Sequence, residues 1–220
     1  MSFKNPTPEY NFKHACQEGD LDLLKSLLRE DVKYQHRASF EFQPLSEETI
    51  QEGFELACEW QRLSVVDYLL KFTNLETREE QFIMSCQACR LEQILLILPF
   101  VRNYAIHLGI FSSCEYQNKE AINFFIDNDY VSLEEIFMSL CMSYSVDLLQ
   151  EFVMEVNEEI LFLGFQEACS VYDKIFFPAK NETIDFLVGF AKKMGMDLRT
   201  DEFGPELTNV INEAYDLTIV

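Results

Sequence analysis

Bulky apolar residues recur at a fixed distance before cysteines along this chain. Six cysteines each follow such a residue by four positions, and successive cysteines are separated by 42, 28, 28, 27 and 28 residues. A regular recurrence of this length predicts a stack of repeats, in which each unit buries its apolar face against its neighbours. The six pairs are Phe12/Cys16, Phe54/Cys58, Phe82/Cys86, Ile110/Cys114, Phe137/Cys141 and Phe165/Cys169.

Each unit has the pattern of two helices joined by a tight turn. The apolar residue and the cysteine lie four apart, so they share one face of a first helix. Apolar residues at i, i+3 and i+4 then predict an amphipathic second helix, as in Val66, Leu69 and Leu70. The sequence therefore predicts an all-α chain that forms one domain over residues 1–220, an α-solenoid of about six stacked helix-turn-helix repeats. We place the units near 8–30, 47–73, 78–100, 103–128, 133–155 and 158–194, with an insertion over 31–45 and a C-terminal capping helix over 205–215.

Capping signals mark where these helices begin and end. Thr77-x-x-Glu80 and Ser132-x-x-Glu135 have the spacing of capping boxes. Glutamate pairs in first helical turns favour the helix dipole, and we expect them to face solvent. Further predicted N-caps are Thr7, Ser46, Asn157 and Asn181, the predicted C-cap is Gly195, and the glutamate pairs are 47/48, 79/80, 134/135 and 158/159.

The chain is strongly acidic, with 17 Lys and Arg against 38 Asp and Glu and a formal charge of -21. Such a charge repels phosphate backbones and anionic lipids, so we expect no nucleic-acid or membrane partner and instead a protein with a basic surface. The start of the chain shows no secretory signal pattern, and the longest apolar run, 94–101, is too short to span a bilayer. The cysteine count is odd, and six cysteines occupy equivalent positions, which predicts reduced thiols in a cytoplasmic protein. We expect this protein to be a monomer.

Residues 12–31, FKHACQEGDLDLLKSLLRED, resemble an ankyrin repeat, whose pattern is roughly L-H-x-A-A-x-x-G-H-x-x-V-V-x-x-L-L. Phe12 stands at the family's leucine and Gly19 at its glycine, and residues 54–72 are the next best match. The later units keep the spacing and the apolar positions, but the family's Thr-Pro before the first helix is absent throughout. The period is about 28 residues, where ankyrin repeats have about 33. The resemblance therefore implies ankyrin-like repeats with shortened or missing β-turn fingers, and a generic α-solenoid is the alternative for the later units. The other matched positions are Ala15, Cys16, Leu24, Leu27 and Leu28.

The resemblance also implies a concave recognition surface whose contact positions include the two residues after the paired alanines. Acidic and aromatic residues occupy several of these positions, and aromatic rings are common anchors in protein interfaces. The alternative for Trp60 is that it packs under a loop or in a seam between repeats. The predicted partner-binding residues at these positions are Glu18, Glu59, Trp60, Glu115 and Tyr116.

The insertion between the first two units is a second candidate contact region. Its residues 32–45, VKYQHRASFEFQPL, are basic and aromatic in an otherwise acidic chain, and we include Tyr34 and Phe40 among the predicted binding residues. Long insertions in repeat arrays often carry function. The alternative is a loop that folds back over the end of the stack.

The sequence contains no strong catalytic or metal-binding motif. Cys86-x-x-Cys89 has a metal-ligand spacing, but no second such pair completes four ligands. His14 and Cys16 lie two apart, on different sides of a helix, which disfavours a nucleophile pair. Gly-rich phosphate loops and G-x-S-x-G are missing from the sequence. We therefore expect no catalytic residues, no metal and no cofactor.

These observations predict a non-enzymatic module that binds a basic partner protein to recruit or inhibit it. Proteins resembling this family include secreted effectors of intracellular pathogens and their regulators, which is one alternative. A second alternative is an acidic mimic of a nucleic acid. A third is an enzyme whose site is assembled across repeats, which a deep pocket of ionisable groups with shifted pKa values would favour.

Overall fold

The computed structural model describes residues 7–28, 45–170, 178–199 and 211–212. Within these residues the chain forms twelve α-helices and no strand, which confirms the all-α prediction. The predicted capping helix 205–215 lies outside the described residues except for 211–212, which are helical. The helices are α1 (Pro8–Glu18), α2 (Leu21–Leu28), α3 (Glu47–Glu59), α4 (Leu63–Leu69), α5 (Leu75–Gln87), α6 (Leu91–Ile97), α7 (Asn103–Glu115), α8 (Lys119–Asp127), α9 (Leu133–Met142), α10 (Val146–Phe152), α11 (Glu158–Ser170) and α12 (Pro178–Met194).

Several helix boundaries follow from their capping residues as the sequence predicted. Ser132 and Glu135 form a reciprocal capping box at the start of α9. Thr7, Ser46 and Asn157 accept backbone N–H groups at the starts of α1, α3 and α11.

Two predicted caps are wrong. Asn74, and not Thr77, caps α5: its side-chain oxygen accepts the Thr77 N–H at 2.9 Å, and Thr77 itself is a buried residue inside the helix. Asn is at least as good an N-cap as Thr, so the helix starts three residues earlier than the Thr77-x-x-Glu80 spacing indicated. Asn181 likewise lies inside α12, because that helix already begins at Pro178.

The chain divides into two compact units, Met1–Gly109 and Ile110–Val220, and the boundary falls within α7. In the first unit, α1 packs against α3, α3 against α5, and α4 against α6. In the second unit, α9 packs against α11 and α10 against α12. In these contacts between pairs, odd-numbered helices pack against odd-numbered helices and even-numbered helices against even-numbered ones, while the two helices of a pair also pack on each other. This layering brings equivalent positions of successive helix pairs side by side within each unit.

The recurring cysteines lie in the cores of these units. All six repeat-position thiols are buried, and none of the seven cysteines forms a disulfide. Burial raises the pKa of a thiol because the thiolate loses its hydration, and at Cys58 this effect exceeds the opposing effect of Arg90. The pKa is raised to about 12 for Cys16, Cys58 and Cys114. These thiols therefore act as small core side chains and not as nucleophiles.

The turn between the two helices of a pair has the same backbone geometry in successive helix pairs. The third residue after each repeat cysteine has a positive φ, between 53° and 81°, in the five described turns. Only Gly19 is a glycine there, and φ near +55° costs a non-glycine residue roughly 1–2 kcal/mol. The later turns therefore adopt the same left-handed backbone conformation as Gly19, although another residue replaces the glycine. The other four residues are Gln61, Cys89, Gln117 and Tyr144.

Every second pair of helices carries a glycine just before its bulky apolar residue. A Cβ at Gly109 would lie 2.6 Å from Phe82 Cε1 and 2.8 Å from Cys86 Sγ of the preceding pair. Gly53 and Gly164 face the preceding phenylalanine and cysteine in the same way. The glycines therefore permit close approach of α1 to α3, of α5 to α7 and of α9 to α11. Their spacing of 56 and 55 residues gives the chain a second period, twice the first.

Among the described residues, no helix is both long and apolar enough to cross a membrane. The insertion 31–45, apart from Leu45, lies outside the described residues, and so do Tyr34 and Phe40.

Candidate protein-binding faces

In the first unit, three predicted binding residues lie at the carboxyl ends of first helices. Glu18, Glu59 and Trp60 are not enclosed in the core, and Trp60 exposes 48% of its surface. Trp60 caps α3 through its backbone N–H, which donates to Leu56 O at 2.9 Å. Its backbone is therefore fixed while its indole remains accessible to a partner.

In the second unit, Glu115 and Tyr116 occupy the equivalent positions at the end of α7. Both are exposed, and Tyr116 exposes 55% of its surface. The Tyr116 N–H donates to Ser112 O at 2.9 Å, so the backbone is held as at Trp60. Each aromatic ring thus stands beside a glutamate at a helix end.

Side chains from the following pair hold these helix ends in place. Arg62 Nε donates to Gln17 O at 2.7 Å, and Arg90 donates to Cys58 O at 2.9 Å. In the second unit, Ser145 Oγ donates to Cys114 O at 2.8 Å. The last carbonyls of a helix have no partner within the helix, so these bonds satisfy groups that burial would otherwise penalise. The helix ends that carry the candidate residues are therefore cross-linked to the next pair.

A row of glutamates crosses from α3 to α5 in the first unit. Lys13 Nζ of α1 lies 2.5 Å from Glu52 of α3, which forms an ion pair between adjacent first helices. At the equivalent position one pair later, Glu55 of α3 and Glu80 of α5 repel each other electrostatically. A like-charge pair thus replaces an opposite-charge pair at the same place in the repeat.

Glu55 lacks a compensating cation in the described part of the chain. Partial burial raises the pKa of Glu55, and repulsion from Glu80 and Glu52 raises it further. Met84, four residues after Glu80 on α5 and hence on the same side of that helix, exposes 54% of its surface. This face of the first unit therefore combines unneutralised carboxylates with an exposed, adaptable apolar side chain.

One glutamate that we expected to face solvent is instead a structural ion-pair partner. Glu79 is buried, and its carboxylate accepts from Arg102 Nε at 2.7 Å and from Arg102 Nη2 at 2.6 Å. The guanidinium lowers the pKa of Glu79. Gln51 occupies the equivalent position one pair earlier and accepts the Asn74 N–H at 3.0 Å. The expectation for Glu79 was wrong because this position anchors the loop to the next pair.

The described residues bring together no cluster of three or more His, Cys, Asp or Glu that could hold a metal ion. Cys86 of the Cys-x-x-Cys pair is a buried core residue, whereas Cys89 lies in a turn and is partly exposed. The two sulfurs therefore belong to different environments.

No family model, curated protein sequence or solved structure matches this chain.

Sequence reasoning missed two features of this region. The sequence contains Glu52, Glu55 and Glu80, but only the packing of α3 against α5 brings Glu55 within electrostatic range of Glu80. The second missed feature is the pair Arg62 and Arg90, each four residues after a repeat cysteine. Basic residues at equivalent positions of an acidic chain could have indicated a repeated structural role.

Proposed function

We propose that this protein is an ankyrin-like α-solenoid of six helix pairs that binds a basic segment of a partner protein. The repeat spacing, the equivalent turns and the buried cysteines support the repeat architecture. The acidic charge and the exposed aromatic residues at helix ends support a binding role. In this proposal the first unit binds the segment through the Glu55–Glu80 face and Trp60. Glu115 and Tyr116 are a separate candidate contact of the second unit.

The single observation that carries the proposal is the like-charge pair of Glu55 and Glu80. The fold has an ion pair at the equivalent position, Lys13–Glu52, so the repeat geometry accommodates a cation there. A glutamate at position 55 destabilises the folded chain, because its charge is repelled and partly desolvated. A lysine or arginine from a partner would remove that penalty on binding. Retention of an unfavourable group is typical of functional surfaces.

The sharpest test is the substitution Glu55→Lys. It places a cation opposite Glu80, as Lys13 stands opposite Glu52, so the melting temperature should rise while binding of basic partners is lost. Partners would be captured from lysate with immobilised wild-type and variant chains and compared by quantitative mass spectrometry. Asp67→Lys, at an exposed position of α4, is the matched control because it makes the same charge change elsewhere in the first unit.

A partner set that is unchanged in Glu55→Lys, or lost equally in Asp67→Lys, would contradict the proposed face. In the second case binding would depend on net charge alone. A steep loss of all partners at high salt in the wild type, together with no effect of Trp60→Ala, would instead favour the nucleic-acid mimic.

A further inference from the structure

A small cavity opens in the first unit beside the turns that join α3 to α4 and α5 to α6. Its volume is about 220 Å³, and its lining includes Leu63, Cys89, Arg90, Glu92 and Gln93. This region is separate from the Glu55–Glu80 face, since none of its lining residues belongs to α3 or to α5. The cavity is large enough for a molecule the size of an amino acid.

Cys89 differs from the other six cysteines in its surroundings. It is the partly exposed thiol of the seven, and it lines the cavity, whereas the repeat-position thiols are buried. Reaction of a thiol with an external disulfide requires access to the sulfur. The fold therefore offers one cysteine to a small reagent in the folded state.

A buried acceptor in the cavity lining lacks a hydrogen-bond partner. Gln93 is 1% exposed, and its Oε1 is unpaired. Its amide nitrogen is paired: Gln93 Nε2 donates to Ser85 Oγ at 2.7 Å, and Ser85 Oγ in turn donates to Gln81 O at 2.5 Å. An unpaired buried acceptor is unfavourable and rare in native structures. Gln93 Oε1 therefore suits a ligand that brings an N–H donor.

Residues of both charges also line the cavity. Arg90 uses one guanidinium nitrogen to donate to Cys58 O, which leaves further donors on the same planar group. Glu92 is exposed and supplies a carboxylate. A carboxylate suits Arg90, and an ammonium group suits Glu92 and Gln93 Oε1. The lining therefore matches the zwitterionic end of an α-amino acid.

We propose that Cys89 is a site of reversible mixed-disulfide formation with a low-molecular-weight thiol that carries an α-amino-acid group. In this step Cys89 first loses its proton to solvent, and its thiolate attacks one sulfur of the small-molecule disulfide. The sulfur–sulfur bond of the reagent breaks, a new bond joins Cys89 to the nearer sulfur, and the other half leaves as a thiolate that takes a proton from solvent. The disulfide is the oxidant, and one half of it is reduced.

The first test is to treat the reduced, folded chain with cystine and to locate adducts by intact-mass and peptide mass spectrometry. We expect one cysteinyl adduct per chain, on Cys89, which dithiothreitol removes. Cys89→Ser should give none, and the other cysteines should react only in denaturant. Modification of a repeat-position cysteine at a comparable rate in the folded chain, or no adduct at all, would overturn the proposal.

The second test asks whether the cavity recognises the amino-acid group. The rate of Cys89 modification by cystine is divided by the rate with 2-hydroxyethyl disulfide, which has no charge and no amino group. Gln93→Met removes an acceptor, and Glu92→Gln removes the charge that suits the ammonium group; each should lower this ratio by about fivefold. The rate with the neutral disulfide reports the accessibility and the thiolate fraction of Cys89, so dividing by it removes both effects from the comparison.

If the ratio is unchanged in both variants, recognition by the cavity is refuted. If Gln93→Met unfolds the chain, the neutral reagent will modify the repeat-position cysteines too, and Glu92→Gln, at an exposed position, decides the question alone.

Discussion

Individual glycines decide how closely neighbouring first helices approach. We predict that Gly109→Ala destabilises the chain by about 1–2 kcal/mol, although alanine is the better helix former by about 1 kcal/mol. The added methyl group would meet Phe82 and Cys86, both fully buried, and neither can move without disturbing the core. Chemical denaturation measures the change. Gln81→Ala is the control, because position 81 stands just before Phe82 as Gly109 stands before Ile110, and it should have the smaller effect. An equal or greater loss of stability in Gln81→Ala would contradict the role of Gly109 in close helix packing.

At the turn positions with positive φ, replacing a larger residue by glycine should stabilise the chain. We predict that Gln117→Gly stabilises the chain by about 0.5–1 kcal/mol, because relief of the left-handed conformation exceeds the added freedom of glycine in the unfolded state. Gln117 is exposed, so little packing is lost. Denaturant midpoints for the two chains give the difference.

Gly19→Ala supplies the reverse experiment at the equivalent turn. It should destabilise, since φ is +81° there and the new Cβ would lie 3.1 Å from Arg62 Cδ. A stabilising Gly19→Ala would mean that the turn relaxes to another conformation.

At the scale of helix pairs, two glutamates on first helices should affect the melting temperature in opposite directions at neutral pH. Glu55 has a raised pKa, so its ionisation destabilises the folded state above that pKa, and the penalty disappears as the pH falls below the ordinary value of 4.5. Glu55→Gln should therefore raise the melting temperature at pH 7 and have little effect below pH 4.5. Thermal melts across this pH range measure the change.

Glu79 gives the contrasting case in the neighbouring helix. Its pKa is lowered, so its ionised form stabilises the fold above 4.5 and that contribution is lost as the pH falls through the lowered pKa. Glu79→Gln should lower the melting temperature at pH 7 and lose this effect in acid. The same sign of pH dependence in both variants would show that net charge, and not the local partner, governs them.

The sequence predicted the helices and the buried cysteines because both follow from local periodicity and hydrophobicity. Phe54 and Cys58 are apolar at helical spacing whatever lies opposite them. The sequence alone could not predict the repulsion between Glu55 and Glu80 or the burial of Glu79, since both depend on the register between helices of different pairs. The glycine period was readable in GFELAC, GIFSSC and GFQEAC, but its meaning lies in the side chains that the glycines face.

At the scale of the whole molecule, excess negative charge should dominate the response to salt. The chain carries 38 acidic against 17 basic side chains, so repulsion among carboxylates opposes compaction more than ion pairs favour it. Raising KCl from about 0.01 M to about 0.15 M shortens the screening length from roughly 30 Å to 8 Å, which weakens long-range repulsion first.

We therefore predict that added KCl raises the melting temperature, by about 2–4 °C for each kcal/mol of repulsion removed in a chain of this size. Differential scanning fluorimetry at fixed pH 7 measures it. Glu55→Lys and Asp67→Lys each reduce the net charge by two, so both should show a smaller salt increment than the wild type. The rise in melting temperature with salt should be smaller in Glu55→Lys than in Asp67→Lys, because Glu55→Lys also removes the repulsion between positions 55 and 80. A melting temperature that falls with salt would mean that surface ion pairs such as Lys13–Glu52 outweigh the net charge.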